Sequence, residues 1–165
     1  MEFALIAPML FLLLFGVIQI GLLMASQNGL VNGVRDTARR AATYRINQDS
    51  FGDGSAFAAI CGTVEANLST HLGQAIPGFV AANLHRTISY EWRQNPDNSY
   101  FLIATVDATY DNPMLLPLDP LVRLLGLAST GNFEPGTFPL SASEQMRVEN
   151  PTLTPSAPTT ETCAP

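Results

Sequence analysis

From Phe3 to Met24 the chain reads Phe-Ala-Leu-Ile-Ala-Pro-Met-Leu-Phe-Leu-Leu-Leu-Phe-Gly-Val-Ile-Gln-Ile-Gly-Leu-Leu-Met, with Gln19 as its one strongly polar side chain. Wound as an α-helix at ~1.5 Å per residue, this run reaches about 33 Å, enough to cross a hydrocarbon core of ~30 Å. It therefore reads as a membrane helix. Glu2 sets a carboxylate at its mouth, and Pro8 removes a backbone donor in the first helical turns. A cleaved signal peptide would start basic, carry a shorter apolar region and end in a small-x-small exit, whereas this start is acidic and the run is too long. A plain bitopic anchor fits most of the same residues.

The remaining residues suffice for one soluble domain of ordinary size. All eight basic residues are arginine, and they are unevenly placed. Residues 26–50 hold Arg35, Arg39, Arg40 and Arg45 against two aspartates, whereas from Phe51 onward four arginines face eleven carboxylates. The acidic head repels nucleic-acid phosphates and argues against a nucleic-acid partner. The basic patch just past the apolar run suits anionic head groups. By the positive-inside rule it would hold the following domain in the cytoplasm, but long domains cross largely regardless of charge, and cysteine usage points to the outside. An extracytoplasmic head is expected.

Small residues recur every four positions at Gly21, Ala25, Gly29 and Gly33, one ridge of a helix that continues beyond Met24. Such a ridge admits a second helix closely, and the expectation is packing against copies or relatives of this chain; the alternative is a chance GxxxG that only softens the helix. With Leu30, Val34, Ala38 and Ala41 as a second stripe, the spacing predicts one helix from Phe3 to about Ile46. Turn chemistry fills residues 48–54. Ser55 is the expected N-cap of a second helix carrying Phe57, Ile60, Cys61, Val64, Leu68 and Leu72 and closing at Gly73. Residues 74–83 are a connection or a short third helix.

The period then changes from helix to strand. Arg86–Arg93 alternates, with Ile88, Tyr90 and Trp92 on one face; residues 95–99 form a turn; Tyr100–Tyr110 sets Leu102, Ala104, Val106 and Ala108 on the buried face. Asp119-Pro120 would start a short helix over Leu121–Leu127, and Phe138–Val148 would be a third strand. The Pro/Thr-rich tail has little to bury and is expected to be extended or mobile.

Groups suited to catalysis are sparse. His71 and His85 lack metal-ligand spacing, Asp107 and Asp111 read as a solvated rim, and there is no nucleophile elbow, P-loop or dinucleotide fingerprint. The expectation is a non-enzyme with no metal and no cofactor. Cys61 and Cys163 are expected to be joined, because an exported bond would pin a tail that no apolar pattern holds; a buried thiol and an idle one are the alternative.

Glu2-Phe3-Ala4-Leu5-Ile6-Ala7-Pro8, Phe15-Gly16-Val17-Ile18, Ala25, Asn28, Asn32 and Arg35-Asp36-Thr37-Ala38-Arg39 together resemble the TadE-like pseudopilins of tight-adherence (Flp-type) pilus systems. Residues 104–110 and 140–149 resemble that family's sheet segments. The resemblance implies a helix held in the bacterial inner membrane, a leader cut by a prepilin peptidase, and other pilin and pseudopilin subunits as partners. It assigns assembly to Glu2, Phe3 and Pro8, with Glu2 meeting the α-amine of a neighbouring subunit. In the family the glutamate is the fifth residue after the cut; here it is the second, which implies a leader upstream of Met1 or a shortened mature form.

The expected architecture is α+β and pilin-like: a long N-terminal membrane helix and a second helix packed on a three-stranded antiparallel sheet. Its parts are a transmembrane segment (1–25), a helix extension with the head (26–148) and a tail (149–165). The expected function is that of a minor pilin in assembly, initiation or capping of an adhesive pilus, reaching the cell surface after assembly. The alternative is a bitopic envelope protein whose head binds a ligand or partner.

Overall fold

The computed structural model describes residues 2–44, 46, 54–114, 136–149 and 160–163; the side chains of residues 2–5, 8, 9, 12 and 54–56 lie outside the description. Its elements in chain order are α1 (Glu2–Thr43), α2 (Gly54–Ala75), a one-turn 3₁₀ helix (Ala81–Asn83), β1 (Leu84–Gln94), β2 (Tyr100–Pro113), β3 (Thr137–Arg147) and β4 (Thr160–Thr162). At ~1.5 Å per residue the 42-residue α1 is about 63 Å long, twice the thickness of a bilayer core. Only its part from Gln19 onward meets the head. There Leu30, Val34, Ala38 and Ala41, spaced by three and four, are wholly withdrawn from solvent and form one wall of the core.

Both helices lie on one face of an antiparallel sheet of order β3-β2-β1-β4. The register explains which face is apolar: Ile88 opposes Val106, Tyr90 opposes Ala104 and Trp92 opposes Leu102, while Tyr110 opposes Leu140. Because strand side chains alternate, all of these point to the helices. Phe57 of α2 meets Tyr90 edge to face at 5.6 Å between ring centroids, and Val64, Leu68 and Leu72 complete the α2 side of the core. The opposite sheet face is mainly polar, with Ile103 and Phe101, the latter covered by the Arg147 guanidinium at 4.9 Å, among its apolar exceptions.

The predicted α+β class holds, with two helices on an antiparallel sheet, but the sheet has four strands where the sequence predicts three. Thr160–Thr162 pairs with Ser89–Glu91 as β4, and the Cys163 N–H donates to the Ile88 carbonyl at 2.8 Å. Strand pairing is backbone chemistry and needs no apolar pattern, so this part of the tail is held although it offers little to bury. Cys163 is bonded to Cys61 of α2 across a sequence separation of 102. That bond and β4 together fasten the tail to both layers.

Element ends also differ from the predicted ones. α1 stops at Thr43, short of Ile46, because its last carbonyls find other donors. The Thr43 hydroxyl donates to the Arg40 carbonyl at 2.8 Å, the Tyr90 hydroxyl to Ala41 at 3.3 Å and the Glu149 N–H to Ala42 at 3.1 Å. α2 passes Gly73 and ends at Ala75, two residues before Pro77, which disfavours helical backbone at Ile76. The reversal falls at Gly78, whose φ of +71° suits glycine. β1 and β2 overrun their predicted limits and β3 spans 137–147. The predicted helix over Leu121–Leu127 and the turn over 48–53 lie outside the described residues.

Two predictions follow from this core. The disulfide closes a loop of about 100 residues, for which chain entropy allows at most ~4–5 kcal/mol. The Cys61→Ala/Cys163→Ala protein should lose a measurable part of that in chemical denaturation, with faster amide exchange at Ser89–Glu91. Tyr90 is the second test. Burial, and then the neighbouring Tyr44, raise its pKa well above the ordinary phenol value. A proton held more tightly in the folded state gives stability that is whole below pH ~10 and is lost as pH rises beyond it. Tyr90→Phe should cost ~1 kcal/mol at neutral pH, through the lost bond to Ala41, and should flatten the alkaline decline seen in melts between pH 9 and 11.

Candidate functional site

From Ile6 to Ile18 the described large apolar side chains of α1 are bare. Ile6 and Leu13 are 64% exposed, Val17 is 62% exposed, and Leu10, Phe11, Leu14, Phe15, Ile18 and Ile20 are exposed as well. At 100° per residue these positions cover more than half of the helix circumference, against a stripe of ~100° on an ordinary surface helix. On the remaining side, a Cβ added at Gly16 would meet nothing within 4 Å. Water is the wrong solvent for such a rod. Among the described residues α1 is the one helix long and apolar enough to cross a membrane. Glu2 and Pro8 stand in its first turns and Phe3 between them, with their side chains outside the description.

The outer half is fastened to the head from two sides. Toward the sheet, Gln27 Nε2 donates to the Ser141 carbonyl of β3 at 3.1 Å, and Arg35 lies 3.7 Å from Glu144. Toward α2, Asp36 receives both Arg40 and His71 at 2.9 Å. These pairs are partly exposed and each adds little to stability; their effect is to fix the helix in register. His85 similarly faces Asp111 at 3.3 Å, and Asp107 is exposed on the polar sheet face. Among the described residues there is no group of three or more His, Cys, Asp or Glu side chains that could hold a metal.

The ridge Gly21, Ala25, Gly29 and Gly33 is divided in two. A Cβ at Gly29 would lie 2.9 Å from the Ala75 carbonyl oxygen, and one at Gly33 would lie 2.6 Å from a Leu72 methyl. The close approach expected of another subunit is made, at these two positions, by the chain's own α2. Ala25 is exposed and Gly21 has open space beside it, so only this inner pair is free to meet another helix.

Where α1 leaves the head, a cavity of about 310 Å³ lies between Gln19, Leu22 and Ser26 of α1, Pro77 and Gly78 of the α2–β1 connection, and Asn112, Pro113 and Met114 at the end of β2. Gln19, Ser26 and Asn112 are each at least 96% buried. Sequence reasoning gave none of them a role. The available signal was Gln19 itself, a lone amide in an apolar run, which must turn away from lipid to find a partner.

The glycines supply a prediction. Ala is worth ~1 kcal/mol over Gly within a helix, while overpacking against backbone costs ~1–3 kcal/mol. Gly21→Ala should be neutral or stabilising, Gly33→Ala close to neutral because the Leu72 side chain can yield, and Gly29→Ala destabilising. Thermal melts of the detergent-solubilised chain check this order.

Neither curated proteins nor solved structures contain a match to this chain. The segment made of the bare half of α1 and most of its buried half is where a family is found: residues 1–39 match the TadE-like protein family.

Proposed function

We propose that this protein is a minor pilin, or pseudopilin, that acts in assembly, initiation or capping of a tight-adherence pilus through α1. The match of residues 1–39 to the TadE-like family supports association with such a pilus. The observation that carries the reading is the division of one continuous helix into a bare apolar half and a half built into the head. A mere anchor needs no rigid continuation of its span through the core of its domain. A subunit that must be pulled from a bilayer and stacked does need one, since force on the head then acts directly on the apolar rod.

In the membrane the inner half of α1 is solvated by lipid. In a filament the same surface has to be covered by the apolar helices of other pilin and pseudopilin subunits, because each Å² left in water costs ~25 cal/mol. An extracytoplasmic head suits the Cys61–Cys163 bond, which persists in oxidising compartments. A prepilin peptidase would process a leader if one precedes Met1. Glu2 would be the assembly contact: a carboxylate at the edge of ~30 Å of hydrocarbon is costly to leave unpaired, and the α-amine of a neighbouring subunit would draw the next helix into register.

Glu2→Ala should leave the protein folded and membrane-bound yet absent from pilus assemblies, whereas Glu2→Asp should retain part of the function. Co-purification with pilus subunits from envelope material reads the difference. Assembly of Glu2→Ala at the normal rate would make α1 an anchor and the head a binding module.

A further inference from the structure

We propose that the cavity at the foot of the head is a binding site for one bilayer phospholipid, which it holds by the glycerol-ester region and the first methylenes of the chains. The inference rests on reading α1 as a membrane span, and not on its role in a pilus. The cavity lies against α1 between Gln19 and Ser26, about 10 Å along the helix at 1.5 Å per residue. The apolar run ends between these residues at Met24, so the cavity straddles the level at which hydrocarbon gives way to head groups. Ile18, Ile20 and Met24, on the neighbouring faces of the same helix, are exposed to whatever solvates it.

The lining matches that level of a lipid. Leu22, Pro77, Pro113 and Met114 offer apolar walls, and Gln19, Ser26 and Asn112 add hydrogen-bonding groups that are almost wholly withdrawn from water. No charged side chain is among the described lining residues. An ion or a phosphate would find no counter-charge there, whereas an ester carbonyl needs only a neutral donor such as a hydroxyl or an amide. At ~30 Å³ per water-sized group, the volume accommodates about ten such groups, a glyceryl diester with part of its chains but not a whole lipid. The head group would remain outside, so selection by head-group charge is not expected.

The test uses the full chain in vesicles of phosphatidylethanolamine and phosphatidylglycerol. A photoreactive side chain replaces Leu22 or, as a control facing bulk lipid, Val17; adducts are identified by mass spectrometry before and after dilution into detergent. At Leu22 the phospholipid adduct should survive dilution and contain both lipids in their bulk ratio, while the Val17 adduct should disappear. Ser26→Leu/Asn112→Leu should lower the Leu22 adduct at least tenfold and leave Val17 unchanged, and the milder Ser26→Ala should lower it several-fold if the double variant fails to fold. Equal loss at both positions on dilution overturns the site, as does a Leu22 adduct to residues 115–135 of the chain or to another subunit. Absence of any lipid adduct at Val17 in vesicles overturns the membrane reading as well, which separates the two failures.

Discussion

Leu30, Val34, Ala38 and Ala41 press one stripe of α1 onto the sheet and α2, and the rest of the head depends on that contact. At ~1.5–3 kcal/mol for each large side chain buried, such a stripe and its partners supply a main share of the hydrophobic stabilisation of a domain this size. Remove α1 beyond Met24 and the even-numbered face of β2, from Leu102 to Tyr110, would be open to water. The helix is thus structural material of the domain and not a tether attached to it. This is also why its last turn is capped by a tyrosine from β1 and a backbone amide beyond β3: the helix ends where the head provides donors for it.

A helix that serves two solvents has to change character along its length without breaking. The change runs from residues exposed over most of the circumference at 6–18, through the inward-facing Gln19 and Ser26, to the single buried stripe from Leu30. Two of its glycines stand where a neighbour comes close: Gly29 and Gly33 let α2 approach until a methyl group would collide with its Ala75 carbonyl or Leu72 side chain. Proximity to α2 in turn places Asp36 beside His71. The close packing on this side of α1 depends on two missing side chains.

Much of this was legible in the residues because it rests on periodicity. Alternation at Ile88, Tyr90 and Trp92, and at Leu102 through Ala108, identified the central hairpin and its buried face, and the three-and-four spacing of Phe57 to Leu72 identified the core side of α2. The apolar run needed only its composition and length. What could not be read depends on partners distant in sequence. Nothing in Thr160-Glu161-Thr162 marks a strand, since its hydrogen bonds are backbone bonds to β1. The Gly29-Gly33 spacing suggests another subunit as its partner, because a small-residue spacing records closeness but not which chain comes close. Asn112 lies past Tyr110, the expected end of the second strand, and only the longer β2 carries it to the cavity that Ser26 of α1 also lines.

The central claim is that α1 is one rod with two surroundings, lipid or other helices inside and its own head outside. A nitroxide scan along α1 of the full chain in vesicles, read by relaxation with oxygen and with a water-soluble agent, tests it most directly. Residues 27–41 should show accessibility with a helical period and minima at Leu30, Val34, Thr37 and Ala41, and residues 6–18 should be uniformly open to oxygen and closed to the water-soluble agent. A helical period of buried minima continuing through 6–18, or access of the water-soluble agent to that half, would contradict it.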